Sequence, residues 1–246
     1  MSRSPARIFV EADLSTTTLE LDDRTAHYLA NVLRCSRGDR LIAFDGLGTE
    51  RAATIEKITR RGAVLKLEDH LKPVPEPNLR ITLVQGLIKP DRMDFIIQKA
   101  TELGVSRIIA AHFDFSSVKL SGERVGTKLA HWQRVSASAC EQSGRHRRPV
   151  IEHAASLAEG LAHREAVETV IVFHNDNADP TEPPDDVTGA VTLVVGPEGG
   201  LSPAELGWLS AQDNTDFASL GPRVLRAETA ALAACTLAQA RWGDLN

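Results

Sequence analysis

Two apolar runs constrain this chain more than anything else in it. TVIVF (169–173) and VTLVV (191–195) are rich in β-branched residues and lack the apolar–polar alternation of a strand with one wet face. Runs of this kind belong to strands covered on both faces, as in parallel sheets. The segments around them fit. Arg80–Val84 and Arg107–Ala111 read as further strands, and Phe217–Leu220 as a short one. Between them lie helical patterns at 3–4 spacing: Met93, Ile96, Ile97, Ala100 and Leu103, capped by Asp91 and ended by Gly104, then Leu129, Trp132, Val135, Ser136 and Ala139 within 127–142. Ser202–Ser210 and Glu228–Trp242 read as two more helices. Strands alternating with helices predict an α/β domain with a parallel sheet over residues 80–246.

Residues 1–72 have another rhythm. Arg40–Phe44 and Ala52–Ile58 flank the turn Asp45-Gly46-Leu47-Gly48, and Ala63–Glu68 follows a turn at Arg61-Gly62. One helix, capped by Asp22 or Asp23, carries Ala26, Leu29, Ala30 and Leu33. A small β-barrel with one helix fits. The segment LKPVPEPN (71–78) holds three prolines in eight residues. Each proline lacks an amide donor and biases its predecessor to extended geometry, so 73–79 reads as a linker.

Charge narrows the function classes. The chain of 246 residues has net charge −5, which excludes a uniformly basic nucleic-acid coat. The charge is unevenly spread, at +6 for residues 1–148 and −11 for 149–246, which suits one face for a polyanion and another that avoids it. Cys35, Cys140 and Cys235 lie far apart, with no CxxC pair and no zinc spacing, so reduced thiols of a cytosolic protein are expected, without disulfide or metal. No apolar segment approaches a membrane span or an export signal.

Two segments carry the chemistry. In VVGPEGGLSPAEL (194–206) an apolar strand runs into Gly196-Pro197-Glu198-Gly199-Gly200, and then into a helix start. There Ser202 caps, Pro203 takes the first turn and Glu205 completes a capping box. Glycines at the carboxyl end of a parallel strand let backbone approach a ligand, although a tight turn alone would use them too. The spacing matches neither a dinucleotide fingerprint nor a P-loop. In SLGPRVLRAETAAL (219–232) a second strand end leads through Arg226 and Glu228 into the last helix. From the residues alone, those two read first as an ion pair and helix-terminal charge.

The two segments, GPEGGLSPAE and LGPRVLRAETA, are preceded by two more motifs. These are Lys89 with RMDFIIQKATELGV (92–105), and ACEQSGR (139–145) followed by Arg148-Pro149. In this order they resemble the bacterial enzymes that methylate N3 of a uridine in 16S ribosomal RNA, members of the SPOUT superfamily of trefoil-knotted methyltransferases. The resemblance covers nearly the whole chain. It implies an N-terminal PUA-like β-barrel that binds RNA, a C-terminal knotted α/β domain, a homodimer, a cytoplasmic location and the 30S small subunit as partner. One departure is AHFDFSSVKL (111–120), where the family usually has a proline and an Arg-Ser pair.

The resemblance also implies S-adenosyl-L-methionine as cofactor, held between three loops. Carried over, its contacts are Phe173, His174 and Asn175, then Val195, Gly196, Pro197, Glu198, Gly199 and Gly200, then Leu220, Gly221, Val224, Leu225, Arg226 and Thr229. Arg226, Glu198 and Glu228 are the expected catalytic residues, with the choice of base open. Arg3, Arg7, Arg34, Lys89, Arg92, Arg124, Arg145, Arg147 and Arg148 are expected on the RNA. Two other readings stay open: methylation of a ribose 2′-oxygen, and an RNA-binding assembly factor without catalysis. The final helix offers Ala227, Ala230, Ala231, Ala234, Leu237 and Ala238 for close packing against a second copy.

Overall fold

A computed structural model describes residues 5–162, 164, 168–175 and 182–245. The backbone clusters into two units: Met1–Glu76 with Ala137–Arg148, and Pro77–Ser136 with Pro149–Asn246.

In the first unit, β1 (Ala6–Phe9), β2 (Thr18–Leu21), β3 (Arg40–Phe44), β4 (Glu50–Thr59) and β5 (Gly62–His70) form a sheet in the order β1-β3-β4-β5-β2. Two register shifts in the β4–β5 pairing are the irregularities that bend a strand. The inner face buries Ile8, Leu41, Ala43, Ala53, Ile55 and Leu65 with Ala26 and Leu29. Asp22 is the N-cap, accepting from the Thr25 amide, and α1 (Asp23–His27) then widens into a π-helical turn at Tyr28–Val32. The 3–4 pattern of the sequence cannot distinguish that wider turn from an α-helix over one turn.

The second unit is built on six parallel strands, β6 (Arg80–Gly86), β7 (Arg107–Ala111), β8 (Val150–Ala154), β9 (Thr169–Phe173), β10 (Ala190–Val195) and β11 (Thr215–Ala218), ordered β11-β9-β10-β6-β7-β8. Alternate residues feed two cores. Ile81, Leu83, Ile108, Ile171 and Leu193 face α2 (Pro90–Glu102), Trp132 and α6 (Ala227–Trp242). Val84, Ile109, Val170, Val172 and Val194 face α4 (Leu157–Leu161) and α5 (Pro203–Ser210). The apolar runs 169–173 and 191–195 are therefore covered on two sides. The one buried hydroxyl among them, Thr192, donates to Glu168 at 2.6 Å.

Several boundaries differ from the sequence reading. Lys89, not Asp91, is the N-cap of α2. Pro90 stands in the first turn with its fixed φ, and Asp91 supplies only first-turn charge. The long helix, α3 (Glu123–Ser143), begins four residues before the expected 127. β11 ends at Ala218 rather than Leu220. The short β8 and α4, and the edge strands β1 and β2, were not anticipated. In α6, Ala227, Ala231, Ala234 and Ala238 are buried in the chain's own core. Burial pushes the thiols of Cys140 and Cys235 up to about 11 and about 12, so neither is a ready nucleophile.

Candidate functional site

The site lies at the carboxyl ends of β9, β10 and β11, where open parallel sheets bind ligands. A cavity of about 290 Å³ is walled by Phe173, His174 and Asn175, by Val195–Leu201, and by Leu220, Gly221, Arg223, Val224, Leu225, Ala227 and Ala230. That size is close to the lower end of ordinary small-molecule sites. Every expected cofactor contact lines it except Arg226 and Thr229, which are exposed on either side of Ala227. Leu201, Arg223, Ala227 and Ala230 were missed. The last two follow from α6 starting where the third loop ends.

The local chemistry explains the loop shapes. Val195 ends β10 in the core, and the chain must turn at once to leave the sheet. The Gly200 amide donates to the Pro197 carbonyl at 2.9 Å, closing a turn that needs φ +74° at Gly200. Ser202 and Glu205 form the expected capping box, which fixes the far end of the loop on α5. On the near side, a Cβ on Gly86 would lie 2.6 Å from the Pro197 nitrogen. Only glycine at the end of β6 lets the loop pass so closely. Buried Gln85 donates to the Gly86 carbonyl at 3.0 Å and to the Gly196 carbonyl at 3.4 Å. Neither supporting residue has a signal in one sequence beyond a glycine closing a strand.

The walls fit the expected cofactor. Gly200 and Gly221 both line the cavity at positive φ, +74° and +93°, and a Cβ on either would enter open space. Val224 is 82% exposed, an apolar side chain at the cavity wall with surface still to cover. The lining mixes apolar Phe173, Val195, Leu220 and Leu225 with polar His174, Asn175, Glu198 and Arg223, which suits a nucleoside carrying several charged groups.

Arg92, expected on RNA, has its guanidinium 3.5 Å from Glu198 Oε1 and 3.7 Å from Glu228 Oε1. Two of the three expected catalytic residues thus share one cation. Glu198 also lines the cavity, whereas Glu228 does not, and Glu228 Oε2 is buried without a hydrogen-bond partner among the described residues. Arg226 occupies the N-cap of α6 and is exposed. Of the upstream motif, Met93 is core, and Asp94 accepts from Trp132 Nε1 at 3.1 Å and meets His131 Nε2 at 2.7 Å, tying α3 to α2.

The remaining expected RNA residues divide. Arg3 lies outside the described residues. Arg34, Lys89, Arg124 and Arg147 are exposed. Arg7 pairs with Glu50 at 2.8 Å and lies over the Phe44 ring, Arg145 pairs with Glu76, and Arg148 lies 4.7 Å from the centre of the Phe9 ring. Among the described residues no group of three or more His, Cys, Asp or Glu is placed to hold a metal, and no helix is long and apolar enough to cross a membrane.

Comparison with known proteins agrees with this geometry. A family model described as an RNA methyltransferase domain matches residues 75–239, and one described as an RNA methyltransferase PUA domain matches 21–68. Ribosomal RNA small subunit methyltransferase E of Rickettsia conorii is 32% identical, covering 96% of this chain and 94% of its own. The Bacillus subtilis protein of that name is 28% identical, with 87% of each chain covered. The fold matches ribosomal RNA small subunit methyltransferase E from Neisseria gonorrhoeae bound to S-adenosyl methionine, at TM-score 0.88 and 32% identity over 98% of this chain and all of the other. It also matches a Legionella pneumophila methyltransferase in complex with the same cofactor, at TM-score 0.90 and 31% identity over 99% and 100%. On these matches, the chain belongs to the RNA methyltransferase family that joins this catalytic domain to a PUA domain, and within it to the small subunit methyltransferases E.

Proposed function

We propose that this protein transfers a methyl group from S-adenosylmethionine to N3 of a specific uridine in 16S ribosomal RNA. The observation that carries the reading is the cavity, whose two open, left-handed glycines and mixed apolar and polar walls suit that cofactor. When bound, the cofactor supplies a methyl group already activated on sulfur. The protein's share is alignment and charge. Neutral uracil carries a proton on N3, so the N3–C bond forms only as that proton leaves and the ring anion spreads onto O2 and O4. Glu198 is the base, because it alone of the expected carboxylates lines the cavity. Arg92 orients it, and Glu228 holds Arg92 from the other side. Arg226, exposed beside Leu225, neutralises the developing charge on a uracil oxygen.

The PUA domain holds the RNA, through the exposed cations Arg34 and Arg147 among others. The C-terminal domain is knotted, the working form is a cytoplasmic homodimer, and the substrate is the small ribosomal subunit. Leu237, half-buried on α6, leaves part of its surface for the dimer contact, while Ala230 lines the cavity. The test is methyl transfer to 16S RNA, free and in 30S subunits, with nucleoside analysis of the product. 3-Methyluridine is expected; a 2′-O-methylated nucleoside, or no transfer by protein that binds the cofactor, refutes the reading. Light scattering should give a dimer mass, and a fully active monomer refutes that part.

A further inference from the structure

Phe115 is an exposed ring in a place where an exposed ring is hard to explain by folding. It follows β7 at the same sheet edge as the cavity, in the segment that departs from the Arg-Ser pair usual in the family. The loop is firmly held. Asp114 Oδ2 meets the Ser202 hydroxyl at 2.5 Å, and the Asp114 amide donates to Glu205 at 3.0 Å. Ser116 closes the turn on Phe113, whose own ring is buried. Phe115 alone points outward, 48% exposed, and a Cβ on cavity-lining Gly199 would lie 2.8 Å from its Cβ. Phe95 and Trp208 are exposed too, at 44% and 37%, but Phe115 is set apart by its close approach to cavity-lining Gly199, the neighbour of the proposed base Glu198.

We propose that Phe115 is the stacking platform for the target uracil. The inference rests on the methyltransferase reading and adds how the base is held. Methyl transfer to N3 occurs in the plane of the ring, so the ring face is available for stacking while the N3 edge points to the donor. Phenylalanine offers a π-face without a hydrogen-bonding group that would compete for O2 or O4. A base turned out of its RNA stack recovers part of the lost stacking on such a ring. Because Asp114 and Ser116 fix the loop, the ring loses little freedom on binding.

The test compares Phe115→Ala, Phe115→Leu and Phe115→Tyr with the unaltered protein, using 30S subunits from cells lacking the modification. Phe115→Leu keeps apolar bulk and loses the π-face. It and Phe115→Ala should lower kcat/KM for RNA by about 5- to 100-fold, the scale of one base–aromatic stack. Phe115→Tyr should stay within about twofold, and cofactor affinity by calorimetry should be unchanged in all three. Full activity of Phe115→Leu overturns the proposal, as does a loss of cofactor affinity equal to the loss of activity, which would make the ring a support for Gly199. Absence of methyl transfer by the unaltered protein would remove the methyltransferase reading and this proposal with it, an outcome distinct from the other two.

Discussion

Gly200 permits a test in which backbone strain and ligand exclusion are separated. Replacing it with Ala adds one methyl group at φ +74°, where no atom lies within 4 Å of the new Cβ. The cost to the fold is then conformational alone, about 1–2 kcal/mol for an L-residue in the left-handed region. For a chain of this size that lowers Tm by roughly 2–8 °C, at about 2–4 °C per kcal/mol. The matched control is Gly189, at φ +76° with equally open surroundings, just before β10 and outside the cavity lining. Gly189→Ala should lower Tm by the same amount. The two variants should part on cofactor binding. Gly200 lines the cavity proposed for S-adenosylmethionine and Gly189 does not, so on that proposal calorimetry should find affinity weakened at least tenfold, about 1.4 kcal/mol, and more for Gly200→Val. Gly189→Ala should bind as the unaltered protein does. Equal affinities in Gly200→Val and Gly189→Ala would refute the reasoning, since Gly200 would then serve only the turn.

Four further outcomes are expected. Glu198→Gln should lower the single-turnover methylation rate by roughly 100-fold or more and remove the low-pH limb of its pH profile, while Glu228→Gln, acting through Arg92, should cost less; the reverse ranking would exchange their roles. Arg226→Ala should reduce kcat/KM with unchanged cofactor affinity and Arg226→Lys should retain part of the rate, whereas a weakened cofactor with an unchanged maximal rate would make Arg226 a ligand clamp. Burial holds the Glu141 carboxyl above the ordinary carboxylate range. Its contribution to stability is therefore full below that range and lost as pH rises through the raised folded value, so the Tm of Glu141→Gln relative to the unaltered protein should rise as pH is raised through and above the ordinary carboxylate range; a pH-independent difference would count against this. Arg147→Glu should weaken RNA binding and flatten its salt dependence by about one ion without changing Tm, whereas Arg145→Glu, which sets a carboxylate against Glu76, should lower Tm; equal Tm losses would refute the division.

The parts of the fold legible in the sequence are those set by local chemistry. The buried runs at 169–173 and 191–195 declare a doubly covered sheet because no solvent-facing strand would tolerate them. Ser202, Pro203 and Glu205 specify a helix start through hydrogen bonds three residues apart, and the structure contains them. The cavity-lining loops were legible for the same reason, since glycines at strand ends leave room that other residues would occupy. Arg92 was not. Its partners Glu198 and Glu228 are more than one hundred positions away, and a cation near the start of a helix reads the same whether it faces RNA or two carboxylates. Phe115 was equally silent, because alternation alone does not say which of Phe113 and Phe115 is buried.

The basic run at 145–148 shows how far charge counting carries. By sequence it is a short basic run, a weak signal by itself, that reads as a phosphate track only beside the RNA-modifying motifs. In the first unit, however, Ala137–Arg148 closes against the sheet by spending most of that charge internally. Arg145 is paired with Glu76 with its side chain 11% exposed, and His146 is buried 3.8 Å from the same carboxylate. The Arg148 amide donates to Gly46 while its guanidinium lies over Phe9 and within 4.0 Å of Glu11. Glu141, on the last turns of α3, accepts from the Phe9 amide at 3.0 Å and from Tyr28 at 3.0 Å. Cations paired in this way cannot release counterions from a nucleic acid unless the pair first breaks. Arg147, bridged to Leu47 by its backbone and exposed, forms no ion pair among the described residues and is the member of the run proposed for RNA. A segment that looks like an electrostatic surface is therefore mainly a clasp, and its motif ACEQSGR is as much a folding signal as a binding one.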